Sequence, residues 1–550
     1  MMCSRLLKAE NPRKRAAAAH GMLYYMTEGF YKLMLAAYDW SLKIVLRHQA
    51  ATLAVAVSTL VLTVWLYIDV PKGFLPQQDT GLIVATIDAD QSVSFEAMTR
   101  LQRQVAEIAE RDPDVAGVDS FIGAGTINAT PNTGHVTVAL KPHAERHSSA
   151  NEIIARLEEQ FRPLEGIAVS LQLVQDIQIG SRASRTRYQY TLVDADKAEV
   201  EIWAPRLIER LKTMPVFEGV ASDQMNGALL ADLQIDRDQA SRLGVTAQTV
   251  DDTLYDAFGQ RQVSTIYSQL NQYHVVLETT PNFQLGPESL HQLYVPSTTG
   301  AEQWLSAFTT LARRTAPLAI THQAQFPAVT LSFNLKPGES LSAAVQAIRT
   351  AERDIGLPDT VQGSFAGEAA EFQSSLQGEP YLILAAIVAV YIVLGILYES
   401  LIHPLTIIST LPSAGIGALL ALRLFGYDLS IIGLIAIVLL IGIVKKNAIM
   451  MIDFALEAQR EGGQTPGAAI YQACLLRFRP IMMTTMAALL GAVPLAVGHA
   501  TGSEMRRPLG IAIVGGLIFS QALTLFTTPV VYIMLDRLRG RQPAKLQPAM

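Results

Sequence analysis

"LLIGIVKKNAIMMIDFA", Leu439 to Ala455, is apolar enough to sit in a membrane, yet it carries Lys445, Lys446 and Asp453. A charged side chain at a helix centre costs about 2.5–3.5 kcal/mol on insertion scales, so such residues usually face a bundle interior and mark ion or proton paths. Lys446 and Asp453 are seven apart, which places them on one helix face about 10 Å apart along the axis, with Met450 between them. Lys445 points about 100° away, so the two lysines do not face one partner. Lys445 reads as a lysine whose apolar stem snorkels to the cytoplasmic interface. Asp453 reads as an interfacial acid. Lys446 lies deeper, beside Asn447, which could hydrogen-bond across helices. On the residues alone, a structural and a functional Lys446 are equally open.

The rest of the chain fits a membrane setting. Of its 550 residues 50% are hydrophobic and 17% charged, and mean hydropathy is +0.26. That is too apolar for an ordinary soluble protein of this size. The net charge of −6 gives no reason to expect a nucleic-acid partner. The two cysteines, Cys3 and Cys474, lie outside residues 71–380, so that region has no disulfide framework. No GxxxxGK[ST] phosphate loop is present, which argues against an ATP-driven engine, and neither HExxH nor paired CxxC metal patterns occur.

Six apolar runs of roughly 20 residues are expected to cross the bilayer. The first is 51–70. The others, within a five-helix bundle at 381–535, are about 381–398, 401–422, 429–455, 480–499 and 508–535. Arg5, Lys8, Arg13, Lys14 and Arg15 lie in a segment, 1–50, without a signal-peptide pattern. The positive-inside rule makes that segment cytoplasmic, puts 71–380 outside, and returns the 536–550 tail to the inside. Arg506 and Arg507 fall on the outer side and dissent.

Residues 71–380 read as alternating strands and helices. In "IAVSLQL" (167–173), Ile167, Val169, Leu171 and Leu173 share one face, and "HVTVAL" (135–140) alternates likewise. Phe95, Met98, Leu101, Val105 and Ile108 follow helical spacing, as do Ile153, Ile154, Leu157 and Phe161. The order over 82–175 is β-α-β-β-α-β, the ferredoxin-like pattern. A second such unit begins at "YQYTLV" (188–193) and resumes at "VTLSFNL" (329–335), split by an insertion at about 226–310 that is expected to hold its own strand, two short helices and a hairpin. The fold class is therefore an α-helical membrane protein with six spans and a large α+β region of two βαββαβ units.

The fifth span opens "RFRPIMMTTMAALL". Arg477 and Thr484 are seven apart, hence on one face, while Arg477 and Arg479 could equally be topological anchors.

"GIVKKNAIMMIDFALEAQR", "LRFRPIMMTTMAALLGAVPL" and "PKGFLPQQDTG" resemble the resistance-nodulation-division (RND) efflux pumps of Gram-negative inner membranes. "FGQRQVSTIY" and "VYIVLGILYESLIHPLTIISTLPSAGIGALLAL" are similar to the heteromeric Mdt-type multidrug subunits. The resemblance runs over roughly residues 20–540 and matches the second half of the family's twelve-span plan, with span 51–70 corresponding to the seventh. It implies a multi-pass inner-membrane protein with a periplasmic porter region and a docking lobe at 226–310. It implies a secondary transporter rather than an enzyme, exchanging protons for amphiphilic small molecules, with no cofactor. The implied partners are homologous subunits in a trimer, a periplasmic adaptor protein, an outer-membrane channel, and a chain bearing the first half. By motif match, Lys446, Arg477 and Thr484 correspond to the family's proton relay, with Asn447 in support. The relay's carboxylate pair lies in the half not matched here, and neither Asp428 nor Asp453 fits that role. "FIGAGTINATPNTG" (121–134) corresponds to a switch loop beside the drug pocket, with Phe121 as its aromatic. The alternative expectation is a truncated, non-transporting chain that docks into related trimers.

Overall fold

The computed structural model describes residues 22–123, 130–179, 185–498 and 502–538. The residues at 1–21 and 539–550, including Cys3 and the flanking basic clusters, and residues 124–129 of the "FIGAGTINATPNTG" loop lie outside this description.

Two helices open the described chain: α1 (Met22–Arg47) and the first span, α2 (Gln49–Asp69). The first α+β unit follows as β1 (Leu82–Ala89), α3 (Phe95–Glu110), β2 (Val115–Ile122), β3 (Thr133–Leu140), α4 (Ala150–Phe161) and β4 (Ile167–Leu173). Its antiparallel sheet has the order β2-β3-β1-β4. Strand β3 alternates strictly, burying Gly134, Val136, Val138 and Leu140. Val136, Val138 and Leu140 meet Met98 and Val105 of α3 and Ile153, Leu157 and Phe161 of α4 in one core. Helix α4 starts in a reciprocal cap: Ser149 Oγ accepts from the Glu152 N–H, while the Glu152 carboxylate accepts from the Ser149 N–H.

The second unit contains β5 (Tyr188–Val193), α5 (Lys197–Lys212) and β6 (Phe217–Ser222). An insertion follows, comprising β7 (Ala228–Ile235), α6 (Arg237–Arg242), α7 (Ala247–Phe258), the hairpin β8 (Arg261–Tyr267) and β9 (Gln272–Leu277), then β10 (Tyr294–Pro296), β11 (Glu302–Trp304), β12 (Thr309–Ala316) and β13 (His322–Gln323). β12 pairs with β7 and closes the insertion on itself. The unit resumes with β14 (Phe326–Leu335), α8 (Leu341–Ile355) and β15 (Gln362–Ala366). β6, β14, β5 and β15 lie side by side, repeating the strand order of the first unit. The expected ferredoxin-like pair is therefore present.

The remaining spans are α9 (Glu368–Tyr398), the pair α10 (Ile402–Ile408) and α11 (Leu411–Leu424), then α12 (Ile431–Arg460), α13 (Pro466–Val497) and α14 (Ser503–Leu538). Among the described residues, six helical segments are long and apolar enough to cross a membrane. The third is broken at Ser409–Thr410, where Pro412 enters the first turn of α11, a position that needs no N–H. Pro466 likewise starts α13 well before Pro480, so this helix extends beyond the apolar run. Burial separates centre from rim: 56% of the best apolar window of α10–α11 and of α14 is buried, against 6% for α2 and 11% for α9. Helix α14 packs against α11, α12 and α13 at once.

The regular amphipathic helix α1 was not foreseen. Tyr38 and Leu42 are buried against the bundle, and Tyr38 stacks on Phe478 of α13 at 4.6 Å. The Tyr38 hydroxyl donates to the Leu525 carbonyl at 3.0 Å. That carbonyl has no helical donor four residues on, because Pro529 has no N–H.

Candidate functional site

Helix α12 begins at Ser430, whose hydroxyl accepts from the Gly433 N–H. With no proline before Arg460, the helix is continuous through its charged stretch. Lys446 is exposed and has no hydrogen-bond or ion-pair partner among the described residues. Lys445 is half-buried. Asp453 is also exposed, on the Lys446 face, and accepts from the hydroxyl of Tyr398 on α9. Both charges on that face thus point away from the packed centre of the bundle.

The neighbouring helix α13 supplies Arg477 and Thr484. Arg477 is half-buried, with its guanidinium 5.0 Å from the Phe454 ring centroid of α12, a cation–π distance. Its Nε is buried without a partner among the described residues. Thr484 donates to the Ile481 carbonyl at 3.1 Å. Arg479 turns the other way and lies over Tyr31 of α1, 5.1 Å from its ring centroid. Arg477 therefore faces α12 and Arg479 faces α1. No direct hydrogen bond joins Lys446, Arg477 and Thr484 among the described residues.

The link between the two helices runs through the next residue along each. Asn447 is buried, and its Nδ2 donates to Thr485 Oγ1 at 3.1 Å and to Gln521 Oε1 of α14 at 3.1 Å. Thr485 Oγ1 donates to the same Gln521 oxygen at 2.8 Å. Gln521 Nε2 rests on Met482 Sδ at 3.2 Å. Sequence reasoning named Asn447 but missed Thr485 and Gln521. The available signal was the lone amide in "GGLIFSQALTLF".

In the first α+β unit, Phe121, next to last in β2, is about half exposed, and its carbonyl accepts from Gln102 Nε2 at 2.8 Å. Gly123 beside it lies against Phe95, itself exposed. Phe95 is thus a second surface aromatic at this end of the unit, visible in the sequence only as the start of a helix. A different surface is the β8–β9 hairpin, where Ile266, Tyr267, Leu270 and Tyr273 all face outward; Leu270 is 93% exposed. Among the described residues, no group of three or more His, Cys, Asp or Glu is placed to hold a metal ion.

The chain is similar to the crystal structures of a heavy metal efflux pump in two crystal forms. Both superpose with a TM-score of 0.82 at 24% identity over 92% of this chain, and the match covers 53% and 52% of the solved chains. At that identity the likeness speaks for the fold. The chain spans about half the length of those structures. A model of the AcrB/AcrD/AcrF family matches residues 1–536. The chain accordingly belongs to the AcrB/AcrD/AcrF family of RND proteins, as a multi-pass inner-membrane protein with a large soluble α+β region.

Proposed function

We propose that this chain is the second half of a proton-driven pump that exports amphiphilic small molecules. Lys446 is the cationic arm of its proton relay, Arg477 and Thr484 are its partners on α13, and Asn447 is in support. One observation carries the reading. Lys446 stands uncovered in a membrane-spanning helix, without a partner among the described residues, a costly placement that is rational when a companion surface supplies an opposite charge. That companion brings the acidic pair and covers the Lys446 face. The exposed β8–β9 hairpin is the docking element toward homologous subunits in a trimer. The α+β units, with Phe121 at a substrate-facing edge, pass cargo to an adaptor protein and an outer-membrane channel.

The test is co-expression with a companion polypeptide of six spans bearing an intramembrane carboxylate pair, in cells lacking other pumps. Dye and bile-salt efflux are measured at matched membrane levels. Lys446→Ala should lower efflux about tenfold or more, the effect of a barrier change of about 1.4 kcal/mol. Full efflux in that variant refutes the relay. Co-purification with related subunits and no added efflux supports the non-transporting alternative. Because the solved relatives are named for heavy metal efflux, zinc and copper tolerance is scored in the same cells. Metal export without dye export would replace the amphiphile reading.

A further inference from the structure

Two of the proposed relay residues, Lys446 on α12 and Thr484 on α13, are each followed by a residue that turns inward, Asn447 and Thr485. A step of one residue is about 100° around a helix. The outer member of each pair can therefore serve a charge path while the inner one fixes where that path stands. The inner members converge on a single atom, since Gln521 Oε1 accepts from Asn447 Nδ2 at 3.1 Å and from Thr485 Oγ1 at 2.8 Å. Asn447 and Thr485 are buried. Between buried donors such hydrogen bonds keep more of their intrinsic strength than they would in water, and leaving a donor unpaired is costly.

Gln521 sits on α14, the helix that also packs α11 through Gly417 and Gly515. On either side of Gln521, Ser520 and Thr524 of α14 lie 3.4 Å from Ser413 of α11. A shift of Lys446 along or about the α12 axis carries Asn447 with it. It must then either break the bond to Gln521 or move α14.

We propose that Gln521, with Thr485, is a positioning residue for the Lys446–Arg477–Thr484 array: its amide oxygen fixes the relative register of α12 and α13 and couples their movement to α14. The inference rests on the proton-relay reading above.

The experiment uses the full chain co-expressed with its companion and compares Gln521→Leu, Gln521→Glu and Lys446→Ala at matched levels of folded protein, reading efflux velocity against dye concentration and external pH. Gln521→Leu removes the acceptor oxygen at similar volume. It should lower maximal velocity about tenfold, leave the half-saturating dye concentration unchanged, and displace the pH profile. Gln521→Glu keeps an acceptor oxygen for both donors and should restore at least half of the lost velocity. A purely structural role predicts a loss that follows the amount of folded protein, with an unmoved pH profile and no rescue by glutamate, and that result overturns the inference. Wild-type velocity and pH profile in Gln521→Leu, alongside an inactive Lys446→Ala, also overturn it while leaving the relay standing. An active Lys446→Ala removes the relay reading itself, and the positioning inference falls with it.

Discussion

Lys446 and Asn447 show how one step along a helix separates two roles. The first is uncovered, the second buried and hydrogen-bonded to both Thr485 and Gln521. Asp79, in the "PKGFLPQQDTG" motif, illustrates the opposite case, a family-like residue whose task is structural. Its carboxylate accepts from Arg146 Nη1 and Nη2, both at 3.0 Å, and from the Ala150 N–H at 3.1 Å. Burial alone would raise this carboxyl, but the Arg146 bonds, the Ala150 N–H and the charges of Arg146 and His143 outweigh it and hold it below its ordinary value. A depressed acid stabilises the fold above its unfolded pKa, about 3.9, and that contribution is lost as pH falls through the folded value. The Arg146 side chain is almost fully buried. Arg146→Gln should therefore cost about 3 kcal/mol near neutrality, as for a broken buried pair. Thermal unfolding at pH 7 and pH 3 checks this: the gap between wild type and variant should narrow in acid, and a constant gap would contradict the assignment. At this scale the sequence reveals charge but not pairing. Lys446, Arg477 and Thr484 stand out because charge and spacing are legible along a line. Gln521 does not, because its donors lie 74 and 36 residues away and meet it only in the folded bundle.

Among the elements, the βαββαβ units were readable because alternation with period 2 and helical spacing follow directly from which face is buried. Two elements were not. Helix α1 was obscured by its basic residues, although Tyr31, Tyr38 and Leu42 already trace one apolar stripe. The break between α10 and α11 depends on backbone geometry that a hydropathy count averages away. The contact of α11 with α14 rests on small residues. A Cβ at Gly417 would lie 2.5 Å from the Gly515 carbonyl oxygen, and one at Gly515 would lie 2.3 Å from Ala421 Cβ. Membrane helices lack a hydrophobic drive to associate and depend on such close approach. Gly515→Val should force the pair apart, at a cost of about 1–3 kcal/mol, visible as a lower melting temperature in detergent. Gly442→Ala on α12, where nothing lies within 4 Å, is the matched control and should melt like the wild type. Equal melting of both variants would show that the α11–α14 contact tolerates a wider spacing.

For the molecule as a whole, the seam between the two α+β units is polar. Arg185, just before β5, binds Asp88 of β1 at 2.7 Å and donates to the Ser222 carbonyl at 2.9 Å. Burial raises the Asp88 carboxyl, and Arg185 works against that rise. Nearby, the Gly227 N–H donates to the Gln91 side chain, and a Cβ at Gly227 would lie 4.0 Å from Gln91 Cβ. That spacing suits a disulfide, whose Cβ atoms sit about 3.5–4.5 Å apart. The sequence holds no cysteine between 71 and 380 to compete. The paired change Gln91→Cys with Gly227→Cys should cross-link under oxidation and stop efflux, and a reductant should restore it. Undiminished efflux from fully cross-linked protein would show that this seam stays closed during transport. The packing of α14 bears on a different matter, the order of events during synthesis. The last described helix to leave the ribosome is the one that α11, α12 and α13 share as a neighbour. Until it arrives, Asn447 and Thr485 lack the oxygen on which they converge and the glycine face of α11 is bare. The earlier spans therefore wait in the bilayer as loosely associated helices, and the bundle closes only once α14 has joined them.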